Sequence, residues 1–172
     1  MSLSKPAAAI AVLACLAVSG VAASALDAGR AEAAQAIVIR GDGGEVLARL
    51  PLAGQGFAVS YRNSLYGTLA EERYAVLPDG RYRLVEIAAD QLAVLEEYYA
   101  VPAAPQRAAG TDRRKWVVRP DADRPALIER LSIAATDLGK RTVHVPGESP
   151  LELWRLVGNA HPFVVLDIEE KP

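Results

Sequence analysis

The chain has 172 residues, of which 51% are hydrophobic, and its formal net charge is −2. This length allows one domain with a substantial hydrophobic core and is too short for two domains of ordinary size. The mild acidity argues against a nucleic-acid-binding protein, because such a protein needs a basic surface to neutralise phosphate groups.

Residues 1–25 have the order of parts expected of a secretory signal peptide. Lys5 supplies a short basic region, residues 7–23 form an uncharged apolar run, and Ala23-Ser24-Ala25 matches a small-residue cleavage site. The run could instead stay uncleaved as an anchor, although about 17 residues rich in Ala are at the short, weak end for a membrane span. The residues before Cys15 also resemble a lipoprotein box. In each case the protein is exported and extracytoplasmic, either secreted or held at the membrane by an uncleaved segment.

Cleavage after Ala25 would remove Cys15, the single cysteine of the chain. The exported domain would then have no disulfide, no cysteine nucleophile and no thiolate metal ligand. Its stability would have to come from its hydrophobic core alone.

The rest of the chain is predicted to form a spacer, residues 26–35, and a single β-rich domain, residues 36–172. The first two strands of that domain, residues 36–40 and 45–50, flank Gly41-Asp42-Gly43-Gly44. Glycine and Asp-Gly pairs supply the positive φ angles of a tight turn, so this segment predicts a β-hairpin.

Alternating apolar residues predict the next three strands. Residues 56–61 place Phe57, Val59 and Tyr61 on one face, and the alternation resumes at Tyr74 after a polar stretch. Pro78-Asp79-Gly80 then predicts a turn, because Pro fixes φ and Gly adopts the left-handed conformation, and a returning strand follows from residue 81.

The second half of the chain has weaker patterns. Residues 90–99 fit a short helix capped by Asp90 or a strand, and their Tyr-Tyr ending favours the strand. Residues 102–114 predict the longest loop, and a short strand is expected around Trp116. Residues 126–137 fit a helix or a strand equally well by periodicity, and the surrounding β-rich sequence favours a strand.

One short helix is predicted near the C-terminus. Ser149 can cap it, Pro150 suits its first position, and apolar residues from Leu151 to Val157 supply its buried stripe. A final strand is expected from residue 163 to residue 168. The sequence therefore predicts a mainly β protein, an antiparallel β-sandwich or partly open barrel with one short C-terminal helix.

The polar stretch YRNSLYGTLAEERY, residues 61–74, is the candidate functional segment. The connection from Asn63 to Leu69 is longer than a tight hairpin needs. Glu71 and Glu72 should point to opposite faces of a strand, so one of them could be buried against Arg62, Asn63 or Ser64. These groups could fix a loop, recognise a ligand or partner, or support catalysis. The candidate recognition residues are Tyr61, Arg62, Asn63, Ser64, Tyr66, Thr68, Glu72 and Tyr74.

The same stretch resembles the start of a family of small exported bacterial proteins, domain of unknown function 1850. That family has a His-Ser pair, then Thr-Pro, then Glu before an aromatic residue. Ser64, Thr68, Glu72 and Tyr74 stand at those positions here, while Asn63 replaces His and Leu69 replaces Pro. The closing residues 147–168 are also similar to the family, so that the resemblance spans residues 57–168.

The resemblance implies a role beside a membrane uptake system, because genes of this family often neighbour TRAP transporters of the TAXI type. These transporters import small organic acids with the help of an extracytoplasmic solute-binding protein. Since Asn63 cannot take up a proton at physiological pH, a role shared with the family would be recognition or structure, not acid–base chemistry.

The sequence therefore predicts a non-enzymatic accessory or binding module without a cofactor. Its partner would be a transporter membrane subunit, a solute-binding protein or a small organic ligand. The alternative is a stand-alone exported barrel that binds a small molecule between Tyr61, Tyr66 and Tyr74; a hydrolase is a third hypothesis. His144 and His161 lack the spacing of metal ligands, so no metal site is predicted.

Overall fold

The computed structural model describes residues 35–98, 103–121, 123 and 127–170. The predicted signal peptide and all of the predicted spacer except Gln35 lie outside the described residues. Within the described ranges the chain is mainly β, as the sequence predicted. The strands there are β1 (Gln35–Gly41), β2 (Val46–Leu52), β3 (Gly56–Arg62), β4 (Leu69–Val76), β5 (Tyr82–Ala89), β6 (Gln106–Arg107), β7 (Trp116–Val118), β8 (Leu127–Ile128), β9 (Leu131–Ala134), β10 (Thr142–His144), β11 (Leu151–Glu152) and β12 (Phe163–Glu170).

The strands form two antiparallel sheets in a sandwich-like arrangement. The first sheet has the order β2-β1-β12-β9, so that the final strand pairs with the first one. The second has the order β11-β10-β3-β4-β5-β7-β6, and β8 also pairs with β5. Because β10 pairs with β3 across more than 80 residues of chain, the second sheet brings distant segments side by side.

The main hydrophobic core contains residues of both sheets. Ile37 of β1 and Leu166 of β12 are fully buried in the same cluster as Phe57 and Tyr74 of the second sheet. The Tyr82 hydroxyl donates a hydrogen bond of 3.0 Å to the backbone carbonyl of Leu166, which links the two sheets. Period-two alternation therefore predicted the buried face correctly for β3 and β4.

Both glycine-containing turns are confirmed. Gly44 has a φ of 85° in the connection between β1 and β2, and Gly80 has a φ of 80° between β4 and β5. The backbone N–H of Leu77 donates to the carbonyl of Arg81 at 2.8 Å and closes the second turn. The strands predicted near residue 116 and within residues 126–137 are also present as β7, β8 and β9.

The strand predicted for residues 90–99 is wrong over its described part. Residues Val94–Tyr98 form a helical turn of the π type. Val94 and Leu95 are adjacent in sequence, yet both are fully buried in a second hydrophobic cluster with Ile87 and Val118. A strand would direct two adjacent side chains to opposite faces, whereas a helical turn buries both on one side.

The predicted C-terminal helix is reduced to a single 3-10 turn, Leu153–Arg155. Ser149 does not cap it, because the turn begins after Glu152 and has no side-chain cap. The residues assigned to the first helical turn form strand β11, where Leu151 pairs with Val143 of β10. The backbone pairing offered by β10 therefore outweighs the local helix signals, which are weak compared with tertiary contacts.

Candidate functional site

Asn63 fixes the turn between β3 and β4 by hydrogen bonds to its own segment. Its side-chain oxygen accepts from the backbone N–H groups of Leu65 and Tyr66 at 3.0 Å each. Its backbone N–H donates to the carbonyl of Thr68 at 2.8 Å, and only 2% of the residue is exposed. Asn is favoured in turns for this ability to bond to nearby backbone. Asn63 therefore acts as a structural residue of the turn.

The other predicted recognition residues do not form one site. Arg62 and Ser64 are exposed, whereas Tyr61 is buried in the second hydrophobic cluster with the Arg141 guanidinium stacked on its ring at 4.7 Å. Tyr66 packs against that same cluster. Of the three tyrosines of the predicted cavity, Tyr61 and Tyr66 thus belong to the second cluster and Tyr74 belongs to the main core.

Of the remaining predicted residues, Glu72 and Tyr74 form a hydrogen-bonded pair, to which Thr68 does not belong. The Thr68 hydroxyl is buried and has no hydrogen-bond partner among the described residues. Tyr74 stacks on Phe57 in the main core and donates a hydrogen bond of 2.7 Å to Glu72. Burial raises the pKa of Tyr74, and the neighbouring carboxylate of Glu72 raises it further. This pair lies on the core side of β4.

Glu71 is the buried carboxylate of the Glu71-Glu72 pair, which the sequence predicted to face opposite sides. Only 1% of Glu71 is exposed, and its partners are Arg73 and Arg113. The expectation of a contact with Arg62, Asn63 or Ser64 was wrong. Those residues precede or form the turn, whereas Glu71 lies opposite Ser60 on the outer face of the second sheet.

A cleft of about 740 Å³ opens on that outer face. Its floor is built from three adjacent strands, on which His144, Ala58 and Arg73 lie side by side in register. Residues 109–113 line one side, and residues 145–150 line the other. The small side chain of Ala58 leaves room between its two polar neighbours, so the register of the sheet itself creates the depression.

Arg73 anchors the loop that lines one side of the cleft. It donates two hydrogen bonds of 2.7 Å to Asp112, one of 2.6 Å to Glu86 and one of 2.9 Å to Glu71. Hydrogen bonding to Arg73 lowers the pKa of Asp112 to about 2. The same carboxylates raise the pKa of Arg73 above its ordinary value. These charge-assisted bonds hold the loop in place, and bidentate arginine–carboxylate pairs are among the stronger ones in proteins.

Arg113 is a half-exposed cation at the side of the cleft. Its Nη2 lies 2.9 Å from each carboxylate oxygen of Glu71 and makes a well-aligned hydrogen bond to Oε1. Arg114 lies 3.8 Å from the same carboxylate, so that Glu71 is shared by three arginines. The Arg113 side chain is 53% exposed. Its positive charge is therefore only partly neutralised, while its position is fixed by a buried anion.

Ser60 and His144 form a hydrogen-bonded pair beside the cleft. Ser60 Oγ lies 2.8 Å from His144 Nε2, and Arg113 Nη1 lies 3.4 Å from His144 Nδ1. Because arginine can only donate, its contact with Nδ1 favours the tautomer in which Nδ1 accepts and Nε2 donates to Ser60. Burial lowers the pKa of His144, and the charge of Arg113 lowers it further. A histidine in this tautomer cannot accept the serine proton, unlike the base of a catalytic triad.

Metal ligation has no support in this region. Among residues 35–98, 103–121, 123 and 127–170, no group of three or more His, Cys, Asp or Glu side chains is placed to hold a metal ion. His161 approaches a single carboxylate, with Nδ1 3.3 Å from Asp42.

In the part of the chain that the structure describes, none of the helices has the length and apolar character needed to cross a membrane.

The cleft residues were missed because they come from distant segments. Ser60, Glu71, Arg113 and His144 lie on β3, β4, a loop and β10, and nothing in their sequence spacing predicts a cluster. Strand alternation puts Glu71 and Arg73 on one face of β4, a pairing that the sequence analysis did not single out. Arg113 and Arg114 lie about 40 positions further along the chain, and no local pattern links them to Glu71.

No protein-family model, curated protein or solved structure matches this chain. The resemblance to domain of unknown function 1850 stays a prediction.

Proposed function

We propose that this chain is a non-enzymatic, exported binding module whose cleft binds a small organic acid. It would act beside a TRAP-type uptake transporter, with the transporter's membrane subunit or its solute-binding protein as partner. The cleft is the binding site in this proposal, and the turn at residues 63–68 serves the fold.

The placement of Arg113 carries the proposal. A half-exposed guanidinium is held at the side of a cleft by a buried carboxylate that it shares with Arg73 and Arg114. An arginine held in place in this way suits a carboxylate, which its guanidinium can bind by charge-assisted hydrogen bonding. Because Glu71 and the sheet orient Arg113 before the ligand arrives, little side-chain entropy is lost on binding.

Binding is favoured over catalysis by the state of His144. In the tautomer that the contact with Arg113 favours, Nε2 donates to Ser60, and an imidazole in that state does not activate the serine as a nucleophile. Asn63, Ser64 and Glu72, on which the hydrolase hypothesis depended, do not belong to the lining of this cleft. The pair formed by Ser60 and His144 instead supports the floor next to Arg113.

The link to a transporter rests on the resemblance of residues 57–168 to the family described above. A stand-alone exported binding protein is the second candidate. The two candidates share the ligand site and differ in whether a second protein is bound.

Ligand binding is tested by titrating small mono- and dicarboxylic acids into the full chain and measuring heat and thermal stability. Arg113→Gln should weaken binding at least tenfold, since a charge-assisted pair contributes roughly 1.5–3 kcal/mol. Arg49→Gln is the matched control, because Arg49 is 49% exposed and also pairs with one carboxylate, Glu169, outside the cleft. Ala58→Leu should fill the floor and abolish binding without removing a charge.

If no acid binds the wild-type chain, or if Arg49→Gln weakens binding as much as Arg113→Gln, the cleft is not the site. Recovery of a transporter subunit from the cell envelope with the wild-type chain supports the accessory role. Ligand binding without any recovered partner favours the stand-alone protein.

A further inference from the structure

Three leucines project into solvent at one end of the second sheet. Leu65 is 74% exposed, Leu138 is 77% exposed and Leu69 is 42% exposed. We call this group, Leu65, Leu69 and Leu138, the leucine tip. Single exposed leucines are common on protein surfaces, whereas several at one end of a molecule mark a candidate interaction site.

The fold brings the three leucines to the same end of the sheet. Leu65 lies in the turn between β3 and β4, and Leu69 opens β4 directly opposite Arg62. On the other side of β3, the backbone N–H of Arg62 donates a hydrogen bond of 2.7 Å to the carbonyl of Gly139. This bond places the segment that carries Leu138 beside the turn that carries Leu65.

Both segments are internally fixed. In the first, the Asn63 side chain accepts from the N–H of Leu65, and Gly67 N–H donates to the Asn63 carbonyl at 2.8 Å. In the second, Lys140 N–H donates to the carbonyl of Thr136 at 3.0 Å. The two turns therefore hold the leucine side chains in contact with water. Transfer of these side chains from water to an apolar environment would be favourable.

Cations surround the leucine tip. Arg62 and Lys140 are exposed, and neither belongs to an ion pair identified among the described residues. Arg141 is nearby, stacked on Tyr61. Two carboxylates also lie at this end, Asp137 beside Leu138 and Asp90, whose backbone N–H donates to the carbonyl of Leu69. Asp90 faces Arg114 at 3.8 Å, so the cations remain in excess.

We propose that the leucine tip binds the surface of a phospholipid bilayer. The leucine side chains would enter the interfacial region, and Arg62 and Lys140 would bind anionic headgroups. Apolar side chains flanked by cations suit this surface, because membrane attachment adds the burial of apolar area to attraction by anionic lipids.

This proposal is independent of what the cleft binds. The cleft is lined by Glu71, Arg73 and Tyr74 of β4, whereas the leucine tip includes Leu69, the first residue of that strand, and Leu65 in the turn before it. The proposal also differs from membrane anchoring by residues 7–23, because it assigns lipid binding to residues of the β-rich domain.

The test uses the full chain with a position-specific probe, because the N-terminal apolar run could bind vesicles by itself. An environment-sensitive fluorophore is attached to Ser64→Cys in a Cys15→Ser background, which leaves all three leucines in place. The control carries the same fluorophore on Asp79→Cys. Asp79 is 48% exposed and lies in the turn at the opposite end of β4.

Vesicles of phosphatidylcholine with phosphatidylglycerol should shift the emission of the probe at position 64 to shorter wavelength and allow its quenching by lipid-attached nitroxides. The probe at position 79 should not respond. Leu65→Ser with Leu138→Ser should lower the apparent vesicle affinity reported at position 64 by about tenfold. Arg62→Gln with Lys140→Gln should remove the preference over vesicles of phosphatidylcholine alone. Thermal unfolding of each variant verifies its fold.

The proposal is overturned if the probe at position 64 is silent toward both kinds of vesicle, or if both probe positions respond equally. A response at position 64 to envelope proteins, but not to vesicles, would also overturn it and would identify the leucine tip as a protein-docking site.

Discussion

Arg73 and Asp112, which lie 39 positions apart in the chain, form a bidentate pair with two hydrogen bonds of 2.7 Å. Asp112 also accepts from the backbone N–H of Arg114, so one carboxylate holds both the sheet and the loop. The loop residues from 109 to 115 bury no large apolar side chain, so ion pairs hold them together with backbone hydrogen bonds such as that from Lys115 N–H to the Ala89 carbonyl at 3.2 Å. Arg113 owes its place in the cleft to this arrangement.

Asp112→Asn should destabilise the protein by about 1–3 kcal/mol, because Arg73 would lose a charged, nearly buried partner. Urea unfolding followed by circular dichroism measures the change. Asp79→Asn removes an exposed carboxylate from its pair with Arg81 and should leave the free energy of unfolding nearly unchanged. Equal losses in the two variants would show that the loop is not held by Asp112.

Lowering the pH should reduce the free energy of unfolding, in part through protonation of Asp112. The pKa of Asp112 is lowered from 3.8 to about 2 in the folded chain, so the folded state binds its proton less readily than the unfolded state. The stabilisation is fully present above pH 4 and is lost as the pH falls toward 2. Unfolding free energies across this window should fall less steeply for Asp112→Asn than for the wild type; parallel curves would contradict the assignment.

Asn63→Ala should cost about 1–2 kcal/mol of stability, because the N–H groups of Leu65 and Tyr66 would lose their acceptor in the turn. Ser64→Ala, at an exposed neighbouring position, is the control and should be close to neutral. If Asn63→Ala instead left stability unchanged but abolished recovery of a partner, Asn63 would be a recognition residue after all.

Gly56→Ala should be destabilising by about 1–3 kcal/mol, since a Cβ there would lie 2.8 Å from the backbone oxygen of Tyr74 and would push β3 from β4. Gly54→Ala is a close control two residues earlier, where a Cβ would meet nothing within 4 Å. Both glycines line the cleft, so the two variants add a methyl group in the same region. Equal losses of stability in the two variants would contradict the close approach of β3 and β4 at Gly56.

The protonation of His144 can be followed by NMR titration. Burial and the charge of Arg113 lower its pKa below 6.5, so its ring should be neutral at pH 7. Arg113→Gln should raise the pKa, because the removed guanidinium is a cation close to the ring. Arg49→Gln, far from the ring, should leave the titration unchanged. If the pKa of His144 is the same in Arg113→Gln as in the wild type, the Arg113 guanidinium does not lie close to the imidazole.

The sequence alone determined the strands and turns whose signals are local. Alternation identified the buried faces of β3 and β4, and Gly44 and Gly80 marked turns that require positive φ. It also placed Glu71 and Glu72 on opposite faces. These features depend on neighbouring residues only, so they could be predicted before any pairing was known.

Tertiary structure decided what those faces meet. Pairing with β10 turned Leu151 and Glu152 from a predicted helix into a strand, and burial of Val94 with Leu95 turned a predicted strand into a helical turn. Glu71 has a role in our proposal only because tertiary structure brings its partners together. The pairing of β3, β4 and β10 forms the floor of the cleft, and the loop near residue 112 brings Arg113 and Arg114 to Glu71. The physical reason is one of magnitude. Local propensities differ by fractions of a kcal/mol per residue, whereas burying one large apolar side chain contributes about 1.5–3 kcal/mol.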